Sequence, residues 1–274
     1  MKFEYAKLLW EQYGFGLDVV RARVGMLKAP KVLANSIPKS GTNLLLRSLY
    51  LQPALRRKIQ RTIQGHDIPG ILASLESLNP SDVAAAHIKY HPEVSARIQM
   101  CEIKHILMIR DPRDIAVSNF EYIKQTRARH RLHGYFAHTL RTDAERLMAS
   151  MTGIPSSELG GQPASLGLAD HLKGYADWMD SPDVLVVRFE DLVGIQGGGD
   201  SDTQRKVVEQ IVEYLEIAMD ADRLRRLAEE IFSTHTRTFN KGRVGGWRDY
   251  FDSKHIEFFD KEIAPIAYKL GYGD

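Results

Sequence analysis

The sequence predicts an α/β protein in which a central parallel sheet is flanked by helices. Short apolar runs that indicate buried strands recur along the chain, and segments with helical spacing lie between them. Strands that alternate with helices in this way pair in parallel and are covered by helices on both faces. The four predicted strands are 31–36, 83–88, 104–110 and 184–189.

Helical patterns fill the intervals between these strands and most of the last third of the chain. The predicted helices are 42–51, 92–99, 113–131, 168–179, 203–216, 220–232 and 253–270. Ligands of open parallel sheets bind at the carboxyl ends of the strands. We therefore expect the functional side chains in the turns that follow the strands.

Composition excludes several classes of protein. With 274 residues, 43% of them hydrophobic, the chain fits one globular domain over 1–274. A net charge of +2 predicts neither a nucleic-acid nor a membrane-surface partner. The single cysteine, Cys101, cannot form an intrachain disulfide, which fits a reducing compartment. Residues 1–16 lack the apolar core of a secretory signal and no run is long enough to span a bilayer, so we expect a cytoplasmic protein.

A candidate anion site lies in "PKSGTN", where the first predicted strand meets the first helix. The first turn of a helix has N–H groups without intrahelical acceptors and carries positive potential. Gly41 allows close approach to the backbone. Side chains that add donors or charge are Lys39, Ser40, Thr42 and Asn43. An ordinary capped turn is the alternative, and the G-x-x-x-x-G-K-[ST] loop of ATP- and GTP-binding proteins is absent, which disfavours a kinase or GTPase.

A second candidate anion site follows the third predicted strand, which ends in Arg110. Asp111 and Pro112 form a typical helix start. Ser118 lies about two turns into that helix. A guanidinium can bind two phosphate oxygens at once. Taken alone, however, Arg110 is explained by an ion pair with Asp111 or Asp114.

Three segments together resemble the nucleotide-binding elements of the cytosolic-type sulfotransferases. They are "PKSGT" at 38–42, "IRDPRDIAVS" at 109–118 and "TFNKGRVGGWRDYF" at 238–251, which matches the family's K-G-x-x-G-x-W element. The resemblance extends over roughly 31–272, and the short stretch between Phe232 and Lys241 is similar to bacterial members. It implies a P-loop-kinase-like sulfotransferase fold. It also implies 3′-phosphoadenosine 5′-phosphosulfate (PAPS) as sulfuryl donor, 3′,5′-ADP as product, and no required metal.

The resemblance assigns residues to the two ends of the nucleotide. Those implied for the 5′-phosphosulfate are Lys39, Ser40, Gly41, Thr42 and Asn43; those implied for the 3′-phosphate are Arg110, Ser118, Lys241 and Gly242. Three positions depart from the family pattern. Leu44 replaces an aromatic residue that stacks on adenine, Phe189 replaces a tyrosine, and Asn240 replaces an arginine. We therefore expect the adenine contacts to differ in detail.

The implied catalytic residues lie in "AAAHIKYHPEV", at the end of the second predicted strand. Lys89 and His91 match the family's K-x-H pair. His91 is the implied general base, because the ordinary pKa of histidine lies near working pH. Lys89 and Lys39 are implied to stabilise charge on the bridging and sulfuryl oxygens. His87 is a competing histidine, and its place inside the apolar run favours a hydrogen-bonded structural role.

The predicted reaction is transfer of a sulfuryl group to a hydroxyl, or an amine, of a small molecule. We expect loop 153–167 to help form the acceptor pocket, and the acceptor stays open. The alternatives are a P-loop-like kinase, which would need ATP and Mg²⁺, and a non-catalytic nucleotide-binding protein. No His/Cys cluster has zinc spacing. The family's dimer motif, K-x-x-x-T-V-x-x-x-E, is degraded here, with Arg248, Asp252, Ser253 and Glu257 at its fixed positions, so the oligomeric state stays open.

Overall fold

A parallel β-sheet organises the part of the chain that the structure describes. The computed structural model describes residues 29–57, 62–126, 130–232 and 243–273. Its strands are β1 Lys31–Ser36, β2 Arg56–Arg57, β3 Ile63–Gln64, β4 Asp82–His87, β5 Ile103–Ile109 and β6 Val184–Arg188. They lie in the order β2-β4-β1-β5-β6, β3 also pairs with β4, and every pair is parallel. The predicted parallel sheet is confirmed, and each of the four predicted strands is found within one residue of its predicted bounds.

The centre of the sheet is β1, which lies between β4 and β5. Val32, Leu33 and Ala34 are fully buried, as expected for a strand covered on both faces. Asn35 lies opposite Ala86, so β1 and β4 run in parallel to the same edge of the sheet. The turns that follow these two strands therefore emerge at one edge, where the candidate site residues of both segments were expected.

Helices account for most of the remaining described residues. In chain order they are α1 Thr42–Tyr50, α2 Ile68–Glu76, α3 Pro92–Met100, α4 Pro112–Gln125, α5 His133–His138, α6 Asp143–Thr152, α7 Leu168–Ala176, α8 Phe189–Leu192, α9 Ser201–Tyr214, α10 Ala221–Ile231, α11 Ser253–Phe258 and α12 Ala264–Lys269. A π-helical turn, Phe259–Ile263, joins the last two. None of the described helices has both the length and the apolar character needed to cross a membrane.

The chain divides into two compact units, each made of two segments. The first comprises Met1–Ile109 with Ser181–Gly242, and the second comprises Arg110–Asp180 with Arg243–Asp274. The first unit holds the sheet with α1–α3 and α8–α10, and the second holds α4–α7, α11 and α12. The single domain predicted over 1–274 stays a prediction.

Several elements differ from the sequence prediction. The helix predicted over 113–131 ends at Gln125, and the one predicted over 253–270 is interrupted by the π-helical turn. The prediction missed α2, α5 and α6, although a capping box formed by Thr142 and Glu145 marks the start of α6. In loop 153–167, Ile154 pairs with Ser165 in an antiparallel bridge.

Candidate active site

The turn between β1 and α1 has an unusual backbone. Lys39 has a φ of 74° and Gly41 a φ of 103°, so two left-handed residues flank Ser40. For a lysine this conformation costs on the order of 1 kcal/mol or more, and it persists only where the surroundings enforce it. The main chain of Ile37 donates to Met108 O at 3.1 Å, and that of Ser40 donates to Ile37 O at 3.0 Å. These bonds hold the turn against the sheet.

Gly41 is required at the start of α1 for two separate reasons. Its left-handed conformation favours glycine, and a Cβ there would lie 2.6 Å from Phe189 Cδ2 and 3.2 Å from Met108 Cε. As the N-cap, Gly41 has no side chain that could cap the helix, and the first turn holds no acidic residue. By contrast, Asp111 caps α4 and Asp200 caps α9. The positive end of α1 is therefore left uncapped by its own residues, which suits an anion.

The hydroxyl of Ser40 is not oriented to donate a hydrogen bond to a ligand. Its side chain is fully buried, and its hydroxyl lies 2.6 Å from Ile37 O and 2.8 Å from Met108 O. Both are carbonyl acceptors, so the hydroxyl proton is directed into the protein. In this structure Ser40 supports the turn, while Asn43 is exposed and Lys39 is half-buried.

His87 connects the end of β4 to the same turn. Its Nδ1 lies 2.8 Å from Ser36 O, and because a carbonyl only accepts, we assign the imidazole proton to Nδ1. Ser36 Oγ lies 3.2 Å from Nδ1 and 2.7 Å from Thr42 Oγ1. Burial lowers the pKa of His87, and Lys39 lowers it further, while the Ser36 carbonyl raises it. The predicted hydrogen-bonded role of His87 is confirmed.

Lys89 and His91 lie in the segment that joins β4 to α3. His91 immediately precedes α3, with φ −150° and ψ 132°, and its side chain does not cap the helix. Its Nδ1 is buried without a hydrogen-bond partner among the described residues. Such atoms are rare in native proteins, and one reason for them is a functional role. Lys89 is half-buried, two residues away.

In the second unit, Arg110 is buried, and its contacts include Arg243 and Asp114. Its Nη2 donates to Arg243 O at 3.0 Å and lies 3.5 Å from Asp114 Oδ2. The ion pair that the sequence offered as a simpler explanation of Arg110 therefore exists, and its partner is Asp114. The other candidate, Asp111, instead binds Arg113 through both carboxylate oxygens.

Asp114 is a residue that the site prediction missed. Its carboxylate is 2% exposed and accepts bonds from the main-chain N–H groups of Gly245 and Trp247, each at 2.9 Å. Burial raises the pKa of Asp114, and Arg110 offsets part of that rise. Asp114 precedes Ser118 by four residues, so both lie on one face of α4. The four-residue spacing between Asp114 and Ser118 is the sequence signal that could have pointed to Asp114. It carries no information about the contact with Gly245, which lies 131 residues away in the chain.

Aromatic contacts also attach the segment after Gly242 to α4. The Arg113 guanidinium lies 4.4 Å from the centre of the Trp247 ring, and that of Arg248 lies 4.6 Å from it. Phe120 packs edge-on against Tyr250, with ring centres 5.5 Å apart. Cation–π and edge-to-face contacts of this kind each contribute about 0.5–1.5 kcal/mol.

Part of the predicted site lies outside the described residues. These positions are Lys241, Gly242 and Asn240. Among the described residues, no group of three or more His, Cys, Asp or Glu side chains could hold a metal ion.

Comparison with known proteins identifies the family. Residues 29–271 match the family model described as the sulfotransferase domain. The chain belongs to the sulfotransferase family. Sulfotransferase 4A1 of human and that of mouse are each 25% identical to this sulfotransferase over 252 residues, which cover 86% of this chain and 78% of theirs.

Solved structures share the fold. Mouse sulfotransferase SULT7A1, complexed with PAP, superposes with a TM-score of 0.61 at 19% identity, covering 87% of this chain and 85% of that one. A retinol dehydratase in complex with androsterone and the inactive cofactor PAP gives a TM-score of 0.58 at 16% identity, covering 91% and 85%. The predicted sulfotransferase fold is confirmed.

Proposed function

We propose that this sulfotransferase moves the sulfuryl group of PAPS to a hydroxyl, or an amine, of a small molecule and releases 3′,5′-ADP (PAP). The observation that carries the proposal is the uncapped start of α1, built on Gly41 directly after β1. The solved relatives support it, because one is complexed with PAP and the other holds PAP with androsterone. When bound, PAPS supplies an activated sulfuryl group.

The residues proposed for the 5′ end of the nucleotide lie in the turn after β1 and at the start of α1. The residues proposed for it are Lys39, Ser40, Gly41, Thr42 and Asn43. Main-chain N–H groups in the first turn of α1 would bind phosphosulfate oxygens, with Lys39 adding charge. Ser40 would act by holding the turn, since its hydroxyl already faces two carbonyls.

The residues proposed for the 3′-phosphate lie just before α4, within α4, and in the segment that precedes Arg243. We assign Arg110 and Ser118 to the 3′-phosphate, with Lys241 and Gly242 from the chain just before Arg243. The nearly buried position of Arg110 supports this assignment, because a charge-assisted bond to phosphate gains strength away from water. Ser118 is half-buried on the face of α4 that also carries Asp114.

His91 would take the proton of the acceptor hydroxyl as the new oxygen–sulfur bond forms. The bond between sulfur and the bridging phosphate oxygen breaks in the same displacement. Lys89 and Lys39 would offset the negative charge that develops on that oxygen. The Nδ1 of His91 is buried and has no partner in the part of the chain that the structure describes, whereas the Nδ1 of His87 is already bonded, and this difference supports the choice of His91 over His87.

Transfer from ³⁵S-labelled PAPS to phenols, alcohols, sugars, lipids and amines, in the presence of EDTA, tests the reaction. We expect labelled product with at least one acceptor class and inhibition by 3′,5′-ADP. Phosphoryl transfer from ATP that requires Mg²⁺ would instead support the kinase alternative. Binding of 3′,5′-ADP without transfer to any acceptor would support the non-catalytic alternative.

Calorimetry with Ser118→Ala tests the assignment of the 3′-phosphate separately. The wild-type enzyme should prefer 3′,5′-ADP over 5′-AMP, which lacks the 3′-phosphate. Ser118→Ala should lower that preference roughly tenfold while leaving 5′-AMP affinity unchanged, because one hydrogen bond to a charged group contributes about 1.5 kcal/mol. An unchanged preference would remove Ser118 from the site.

The metal requirement and the cellular location of the enzyme are two further properties that we propose. We propose that no metal is needed for transfer, which the EDTA condition tests. We also propose a cytoplasmic location, which the single cysteine supports, because it excludes an intrachain disulfide. Loop 153–167 remains the proposed contributor to the acceptor pocket.

A further inference from the structure

Asn35 is an unusual residue for its position. It lies in β1, the central strand, and its side chain is fully buried. A buried amide without partners costs about 1–3 kcal/mol, so its hydrogen bonds should show what it does. The proposed reaction does not use Asn35.

The side chain of Asn35 forms a two-bond clasp with the main chain of Ile88. Nδ2 donates to Ile88 O at 2.9 Å, and Oδ1 accepts from Ile88 N at 2.9 Å. Oδ1 also accepts from Ser36 N at 3.0 Å. Ile88 lies one residue beyond the end of β4, so the side chain extends the pairing of β1 with β4 by one step.

The clasp fixes the point at which the chain leaves the sheet toward the proposed catalytic residues. Lys89 follows Ile88 directly, and His91 lies three residues beyond it, a span of at most about 10 Å. His87, immediately before Ile88, is tied to Ser36 O. Two consecutive residues of this segment are therefore held by two consecutive residues of β1, just before the turn that carries Lys39.

We infer that Asn35 is a positioning residue that holds Lys89 and His91 in register with the α1 turn during sulfuryl transfer. The inference rests on the proposed function of those two residues. Asparagine suits the role because its amide has both a donor and an acceptor, as the main chain of Ile88 requires. Leucine has neither, and an ionised aspartate has no donor for Ile88 O.

Asn35→Leu should lower the turnover rate while leaving nucleotide affinity almost unchanged. A displacement of a catalytic group by about 1 Å can lower the rate by 10²-fold, so we expect kcat to fall about 10- to 100-fold. The affinity for 3′,5′-ADP should stay within about twofold, because the α1 turn keeps its own bonds to Ile37 and Met108. In a His91→Ala background the effect of Asn35→Leu on kcat should shrink at least about fivefold, because the two changes act through one group.

Gln204→Leu is the matched control. Gln204 is also buried, and its Nε2 donates to the main-chain O of Leu192 at 3.0 Å. The Gln204→Leu enzyme should lose about as much thermal stability as the Asn35→Leu enzyme while keeping the wild-type kcat. If Gln204→Leu lowers kcat as much as Asn35→Leu does, general destabilisation explains the loss and the inference is wrong.

Asn35→Asp provides a variant of the same shape. A protonated carboxyl can donate to Ile88 O and accept from Ile88 N, whereas an ionised one can only accept. We therefore expect the ratio of variant to wild-type kcat to rise as pH is lowered. A ratio that does not change with pH would contradict the donor role of Nδ2.

Hydrogen exchange of the main-chain amides at 88–91, measured by mass spectrometry, tests the clasp independently of enzyme activity. Exchange there should quicken in Asn35→Leu and not in Gln204→Leu. Unchanged exchange would overturn the inference even in an active enzyme. If the wild-type enzyme transferred nothing from PAPS, the proposed function would fail, whereas the exchange result would still decide whether Asn35 holds this segment.

Discussion

At the scale of single residues, two neighbouring histidines differ in their hydrogen bonding. His87 donates from Nδ1 to Ser36 O at the end of β1, and burial lowers the pKa of His87, which favours its neutral form. His91 has a buried Nδ1 without a partner among the described residues. No described protein group therefore occupies this nitrogen, as the proposed role of His91 requires.

We predict that His91→Ala lowers kcat about 10²- to 10⁴-fold, the usual contribution of a general base. Affinity for 3′,5′-ADP, measured by calorimetry, should change little, because the proposed nucleotide contacts come from other residues. Lys39→Ala is the contrasting variant, since it should weaken both affinity and turnover. A His91→Ala enzyme that turns over at the wild-type rate would rule out His91 as the base.

At the scale of elements, α4 and the segment after Gly242 form one hydrogen-bonded assembly in the second unit. Asp114 receives two main-chain N–H groups of that segment, and Arg110 donates to its Arg243 O. Asp114 is on α4, the helix that also carries Ser118, and Arg110 precedes that helix. These bonds therefore hold residues 243–247 of the K-G-x-x-G-x-W element against α4. Loss of the carboxylate should loosen this element.

We predict that Asp114→Asn weakens binding of 3′,5′-ADP roughly tenfold. Asparagine keeps the shape but presents an NH₂ group to one of the two N–H donors, and an unsatisfied buried donor costs about 1–3 kcal/mol. Calorimetry with 3′,5′-ADP and 5′-AMP measures the effect, which should be larger for the former.

Glu121→Gln is the control for Asp114→Asn. Glu121 is also on α4 and accepts from Tyr250 Oη at 3.3 Å, but it does not bond to residues 243–247. The affinity of the Glu121→Gln enzyme for 3′,5′-ADP should remain at the wild-type level. Equal losses in both variants would show that any disturbance of α4 matters, and that Asp114 has no special part.

Strands and helices could be predicted from the sequence where a local pattern of apolar residues marks them. The four main strands are continuous apolar runs, and they were found within one residue of their predicted bounds. The two-residue strands β2 and β3 are too short to produce a pattern. The clasp of Asn35 and the bonds of Asp114 join residues 53 and 131 positions apart, and no periodicity reports such contacts. Ser40 has the residue type of a ligand donor, but only the folded chain shows where its hydroxyl points.

At the scale of the whole molecule, buried titratable groups link stability to pH. His105 lies in β5 and is 1% exposed, and burial lowers its pKa from 6.5 to about 3. Between these values the unfolded chain binds a proton at His105 and the folded chain does not. Stability conferred by the neutral form is therefore present above about pH 6.5 and is lost as pH falls, by up to about 1.4 kcal/mol per pH unit.

Two other buried groups contribute with known signs. The lowered pKa of His87 acts in the same direction as that of His105. The raised pKa of Asp114 acts in the opposite direction, because the folded chain then binds that proton more readily than the unfolded chain. A comparison of wild type with a single His105 variant isolates one contribution, since the other two are common to both proteins.

We predict that His105→Leu flattens the dependence of stability on pH. Between about pH 6 and pH 5 the wild-type free energy of unfolding should fall by about 1 kcal/mol more than that of the variant. Urea unfolding followed by circular dichroism at several pH values measures both curves. Leucine is similar in volume to histidine and needs no hydrogen bond, so the variant should fold, and its stability at pH 5 should approach or exceed that of the wild type. Parallel curves would mean that His105 takes up no extra proton when the sheet unfolds.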